Sequence, residues 1–335
     1  MSDDADRNGF GPIRVALEIR RFIDEMRIAA ALPAPYRARA QGNNHYERIG
    51  GLTNRNYKIF LEDQALVLRL PGRGTGRFID RATEGENQEA AAHAGFTPTS
   101  LFFDERTGVK LSEFIDDAAA LTAEEARKPE LCESVAAFLT QFHSSGLRFR
   151  NEFNVFRMAF IYERIARARR ARFYDGFKEI RPRALALESL LEGFGIRRLA
   201  CHNDLVPENI MVTPRGLTLI DWEYSGMNDP AWDVAAFLLE SDYRDAEQDR
   251  FLGFYGKGEH TAGFRARVEA FKCLQDYLWS LWSLLQETAS LEQQKARHYR
   301  EYGQLRWERC IERLPAVERD LAAALRAAMA KENVT

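Results

Sequence analysis

Cys201-His202-Asn203-Asp204-Leu205-Val206-Pro207-Glu208-Asn209-Ile210, followed by Leu219-Ile220-Asp221, is the stretch on which the reading of this chain turns. Asp204 and Asn209 share one loop. Between Asn209 and Asp221 the residues read as a strand over Ile210–Val212, a Thr213-Pro214-Arg215-Gly216 turn and a second strand over Leu217–Ile220. A hairpin returns its two ends to one place, so Asp221 is expected beside Asn209. Taken singly, His-Asn-Asp is an ordinary turn and Asp221 a strand-end residue. Taken together they supply one carboxylate to orient an attacking hydroxyl and two hard oxygen ligands for Mg²⁺, the set that phosphoryl transfer requires.

Working outward, the chain is β-rich before this stretch and helical around it. Apolar spacing at Ile13, Leu17, Ile19, Phe22, Ile23 and Met26 predicts an amphipathic helix to Ala31, ended by Pro33 and Pro35, with residues 1 to 11 disordered. Short strands are expected at Tyr46–Ile49, Tyr57–Leu61 and Ala65–Leu70, the last two joined by a Glu62-Asp63-Gln64 turn. A Gly-rich loop over Pro71–Gly76 leads to a helix over Arg81–Ala94, closed by Gly95. Strands at Ser100–Phe103 and Val109–Phe114 complete a small antiparallel sheet. Beyond Asp116 the patterns are long and helical, interrupted by one β region at Leu199–Cys201, Ile210–Val212 and Leu217–Ile220. The fold class is therefore α+β, with a small nucleotide-binding half over 1–115 and a larger catalytic half over 116–335.

With 335 residues and 45% hydrophobic composition, the chain has enough length and apolar content for two packed lobes. A net charge of −3 implies no basic face, which argues against nucleic acid as a partner and suits a cationic substrate. Cys132, Cys201, Cys273 and Cys310 have no metal-ligand spacing and read as reduced, mostly buried thiols of a cytoplasmic protein. The acidic start MSDDADRNGF does not read as a signal peptide. No apolar run approaches the roughly 18 to 20 residues of a membrane span, so no membrane insertion is expected.

The HNDxxxxN motif at His202–Asn209, the IDWEYSG run at Ile220–Gly226 and Asp233 together resemble the choline/ethanolamine kinase group, within the aminoglycoside-phosphotransferase and protein-kinase-like fold. The resemblance spans about Tyr46 to Arg309. It implies a two-lobed protein, a small antiparallel-sheet N-lobe and a large, mostly helical C-lobe, that moves the γ-phosphate of ATP onto a small-molecule hydroxyl. Asp204 would be the catalytic base or the group that orients the hydroxyl, with Asn209 and Asp221 as Mg²⁺ ligands. Gly50-Gly51-Leu52-Thr53-Asn54 is similar to the family's nucleotide loop, where the Gly51 backbone and the Thr53 and Asn54 side chains would meet phosphate. Arg69, in Leu66-Val67-Leu68-Arg69-Leu70, matches the position where protein kinases carry lysine, and Glu84 on the following helix would hold it. The backbone at Glu113 and Ile115 would bind adenine. Asp233 would brace the catalytic loop, and His143 reads as a buried, hydrogen-bonded histidine, not a catalytic one.

Trp279 and Trp282 are three apart, hence on one helix face. A quaternary ammonium offers no ordinary hydrogen bond and is best held by aromatic faces with a nearby carboxylate. The resemblance implies that Trp279 and Trp282, with Tyr224, Glu240 and Tyr302, form a choline cage; for each ring alone, core packing is the competing reading. Leu205 and Val206 depart from the polar residues usual in eukaryotic choline kinases, as does Ser241 from their aromatic surface. The segments look more like the bacterial branch, which includes thiamine kinase. Choline is thus the expected substrate, with ethanolamine, thiamine or an aminoglycoside as alternatives. An inactive nucleotide-binding regulator is the alternative of another class, disfavoured because Asp204, Asn209 and Asp221 are all present. The charge run Glu163–Arg172 reads as a solvated helix face, with Ile165 on its apolar side.

Overall fold

The computed structural model describes residues 26–39, 46–50, 54–61, 64–72, 75–258 and 263–332. Gly51 and Thr53 lie outside these residues, as do residues 1 to 11 and the expected helix up to residue 25. The chain divides into two compact units, residues 1–76 with 99–115 and residues 77–98 with 116–335.

The first unit is built on a five-stranded antiparallel sheet of β1 (Tyr46–Arg48), β2 (Arg55–Phe60), β3 (Ala65–Leu70), β4 (Ser100–Phe103) and β5 (Lys110–Glu113), in the order β1-β2-β3-β5-β4. Alternation sets its buried face: Tyr57 and Ile59 on β2, Leu66 and Leu68 on β3, and Leu111 on β5 form one core with Ile28 and Leu32. Residues 26–31 are helical, and a second short helix, α1 (Ala34–Arg39), begins just after Pro33. Pro35 therefore stands in the first turn of α1 and does not end a helix as expected. A first-turn N–H has no intrahelical acceptor, so proline is tolerated there.

In the second unit α2 (Arg81–His93) is capped at both ends. The Asp80 side chain accepts from the Thr83 N–H, and at the other end Gly95, at φ 82°, lets its own N–H reach the Ala92 carbonyl and that of Phe96 the Ala91 carbonyl. The sequence boundary at 115 leaves this helix in the first half; by packing it goes with the second. Ala91 and Phe96 belong to the larger core, Asn87 donates to Asn151 and to the Ser225 carbonyl, and the Phe96 carbonyl accepts from the Leu219 N–H at 2.8 Å.

The remainder is helical: α3 (Ala123–Ala126), α4 (Pro129–Ser144), α5 (Val155–Ala168), α6 (Phe177–Glu192), α7 (Ala231–Glu240), α8 (Asp245–Phe254), α9 (Phe264–Ala289) and α10 (Gln293–Glu332). Two small β elements sit among these helices. One is the sheet β6-β8-β9, of β6 (Ala119–Ala120), β8 (Ile210–Thr213) and β9 (Gly216–Leu219); the other pairs β7 (Leu199–Cys201) with β10 (Gly226–Asn228). Strands β6 and β10 were not expected from the sequence. Glu163 on α5 is buried, taking both oxygens to Arg181 and one to the Tyr277 hydroxyl, which corrects the reading of Glu163–Arg172 as wholly solvated. All four cysteines are buried and free. Among the described residues no helix is long and apolar enough to cross a membrane.

Candidate active site

The β8–β9 hairpin pairs Ile210 with Leu219, so the residues just outside it, Asn209 and Ile220, are neighbours: the Ile220 N–H donates to the Asn209 carbonyl at 3.0 Å. Asp221 follows directly, with its backbone in the left-handed region at φ 67°. The side-chain amide of Asn209 donates to the Asp204 carbonyl at 2.8 Å. Asp204, Asn209 and Asp221 are thereby drawn to one place by hydrogen bonds made within two short segments.

The loop carrying Asp204 is braced from below. Asp233, fully buried in the first turn of α7, accepts the His202 N–H at 2.7 Å on one oxygen and the Asn203 N–H at 2.8 Å on the other. His143 contacts the same carboxylate at 3.1 Å and the Tyr255 hydroxyl at 2.8 Å, a positioning arrangement far into the core. Asn203 adopts φ 66°, an uncommon backbone state for which asparagine is among the better-suited residues. It is fixed there by the Tyr224 carbonyl, by Asn228 and by the indole N–H of Trp232.

Electrostatically the site is acidic. Burial first, and then the charges of Asp221, Glu223, Glu240 and Asp233, push the Asp204 carboxyl well above the usual carboxylate range. Oxygens of Glu84, Asp221 and Glu223 lie within 4.8 Å of one another. Arg81 binds two of these acids, Glu84 at 2.6 Å and Glu223 at 2.7 Å. The donor set fits Mg²⁺: it is all hard oxygen, and the Asn209 nitrogen is committed to the Asp204 carbonyl, which leaves the amide oxygen to serve as a donor.

The aromatic residues expected in the cage do come together. Tyr224 meets Trp279 edge to face at 5.5 Å, Trp279 meets Trp282 at 6.4 Å, and Trp282 meets Tyr302 at 6.3 Å. Trp282 is 8% exposed, whereas Tyr224, Trp279 and Tyr302 keep partial solvent access. The hydroxyls of Tyr224 and Tyr162 are 3.0 Å apart. Glu240, the carboxylate expected near these rings, forms an ion pair with Arg306.

In the first unit, Asn54 is buried and its side-chain oxygen accepts the Gly72 N–H at 3.1 Å. Arg69 is also buried and donates to the Gly108 carbonyl at 3.0 Å. Glu113 ends β5, paired with Leu66, and Ile115 follows two residues on.

Residues 45–271, well over half of the chain, match the phosphotransferase enzyme family. The chain belongs to that family. Protein LicA of Haemophilus influenzae is 30% identical over 251 residues, 72% of this phosphotransferase and 73% of LicA. Among solved structures, choline kinase LicA from Streptococcus pneumoniae is similar at 31% identity and a TM-score of 0.74, covering 89% of this chain and 99% of LicA; LicA has also been solved in complex with AMP. A choline/ethanolamine kinase family protein from Mesorhizobium loti gives 31% identity and a TM-score of 0.75 over 91% of this chain and 99% of its own. The α+β, protein-kinase-like fold class and the choline/ethanolamine kinase resemblance are those expected from the sequence.

Several site residues of this phosphotransferase were missed in the sequence. Glu223 was within reach, two residues beyond Asp221 in Asp-Trp-Glu. Arg81, Tyr162, Asp276 and Arg306 carry no local signature, because each acts on a partner 62 or more residues away or across a helix pair.

Proposed function

We propose that this phosphotransferase is a choline kinase that moves the γ-phosphate of ATP to the hydroxyl of choline. One observation carries the reading: the loop carrying Asp204 is hydrogen-bonded both to Asn209, a metal ligand in this proposal, at 2.8 Å and, through the adjacent Asn203, to the carbonyl of Tyr224, one of the aromatic residues, at 3.0 Å. Choline has its hydroxyl two carbons from its cationic nitrogen. A group that orients that hydroxyl must therefore stand close to whatever holds the cation.

In this proposal the faces of Tyr224, Trp279, Trp282 and Tyr302 hold the trimethylammonium, with Glu240 supplying negative charge. Asp204 accepts the hydrogen bond of the hydroxyl and aims its oxygen at the phosphorus; the transition state is loose, so the proton need not leave early. Mg²⁺ bound by Asn209 and Asp221 would neutralise charge on the nucleotide phosphates. Gly51, Thr53, Asn54 and Arg69 would hold those phosphates, and the backbone at Glu113 and Ile115 would meet adenine.

The test is ADP release by purified protein with Mg-ATP and choline, ethanolamine, thiamine or kanamycin at equal concentration. Choline is expected to give the highest turnover at low substrate. Equal rates on all four would end the cage reading. Tight Mg-ATP binding with no ATP consumed on any of them would favour the silent regulator instead.

A further inference from the structure

Arg306, on α10, is 3% exposed and uses all three guanidinium nitrogens within the second unit. Nη2 pairs with Glu240 at the end of α7, Nη1 donates to Asp276 on α9 at 3.0 Å, and Nε donates to the Tyr302 hydroxyl at 3.1 Å. The guanidinium carbon lies 5.1 Å from the Tyr302 ring centroid. Asp276, itself fully buried, is held from its other oxygen by Arg313 at 3.3 Å. A buried arginine thus stands behind the residues proposed to receive a cation, and it grips both the one carboxylate and one of the rings.

A cation so placed has two consequences. It fixes Glu240 in place, and the buried Asp276 carboxylate shares its charge, so the guanidinium is not left to Glu240 alone. It also occupies one Glu240 oxygen and the acceptor side of the Tyr302 hydroxyl. A primary ammonium needs such acceptors for its N–H groups and loses by finding them taken, whereas a trimethylammonium has no N–H and loses nothing.

We infer that Arg306 is a positioning residue that sets specificity, biasing the site toward quaternary over primary ammonium alcohols by engaging Glu240 and Tyr302. The inference rests on the proposed choline kinase function and adds to it the residue that selects between its two nearest substrates.

The experiment measures kcat and KM for choline and for ethanolamine at saturating Mg-ATP in wild type, Arg306→Gln, Arg306→Lys and Tyr302→Phe, with thermal unfolding of each. Arg306→Gln should raise the choline KM about 10-fold, leave kcat within about 3-fold, and lower the choline-to-ethanolamine ratio of kcat/KM about 10-fold. Arg306→Lys keeps the charge without the fork and should recover part of that ratio. Tyr302→Phe removes one acceptor instead of freeing it and should not lower the ratio; a fall as large as that of Arg306→Gln would overturn the inference. Should Arg306→Gln not fold, Arg306→Lys carries the same comparison against wild type. A wild type that turns over choline, with a substrate ratio unchanged in the folded arginine variants, overturns the inference alone. A wild type that turns over neither alcohol overturns the proposed function and this inference with it.

Discussion

The side-chain amide of Asn209 donates to the backbone carbonyl of Asp204 across 2.8 Å, so the proposed metal ligand and the proposed hydroxyl-orienting residue are set by one bond. Asn209→Asp replaces the donor with an acceptor and faces a carboxylate to a carbonyl. Turnover should fall at every Mg²⁺ concentration, with the Mg²⁺ needed for half-maximal rate also shifted. A variant that regains full rate at high Mg²⁺ would show that the bond to Asp204 does not matter.

Asp204→Asn should separate catalysis from stability. Losing the group that orients the nucleophile should cost on the order of 10² to 10⁴ in turnover. Burial and neighbouring acids already oppose its charge, so the melting temperature of the ligand-free variant should stay level or rise. A marked fall would mean that the carboxylate is structural.

The same shift fixes the pH dependence. A carboxyl raised above its unfolded value is favoured in its protonated form by the native state, so its stabilising contribution is present at low pH and is lost as pH rises through the folded pKa. Function needs the carboxylate, so kcat/KM should climb with pH over that window. A bound cation opposes the shift, and the acid limb of kcat should therefore lie at lower pH than that of kcat/KM. Coincident limbs in the two profiles would contradict the placement of the cation beside Asp204.

Trp279 and Trp282 should part company on truncation. Trp279, partly exposed, should when changed to alanine weaken choline binding by about 0.5 to 2 kcal/mol with a modest change in melting temperature. Trp282, at 8% exposure, should in addition destabilise the fold by about 3 to 5 kcal/mol. Calorimetric titration with choline and thermal melts of both variants decide it.

Asp233→Asn leaves one of two buried loop N–H groups without its oxygen, at a cost of about 1 to 3 kcal/mol. The His202–Asn203 segment loosens, so kcat should drop while the choline KM changes little. A raised KM with normal kcat would place the effect in the substrate pocket instead.

Much of this was legible because it was local. The hairpin that brings Asp221 to Asn209 was readable from its turn residues, and β3 and the helix closed by Gly95 from alternation and a helix-stop glycine. Strands β6 and β10 were not, because Ala-Ala and Gly-Met-Asn are made mostly of residues that strands disfavour. The helical Trp279–Trp282 spacing was visible, but the partner of Glu240 was not: Arg306 lies 66 residues away, one of many arginines on a charged helix, and only packing picks it out. Glu163 was misread for the same reason, since its partner Tyr277 is 114 residues on.

The tie between Phe96 and Leu219 has a practical outcome for anyone who would dissect this enzyme genetically. Each compact unit is discontinuous in sequence, so no single cut yields two self-sufficient fragments. A chimera joined at residue 115 would exchange α2 along with the sheet and strip Ala91 and Phe96 from the core they complete. Transplanting 1–76 together with 99–115, while retaining the native 77–98, is the graft that leaves Ala91 and Phe96 in that core.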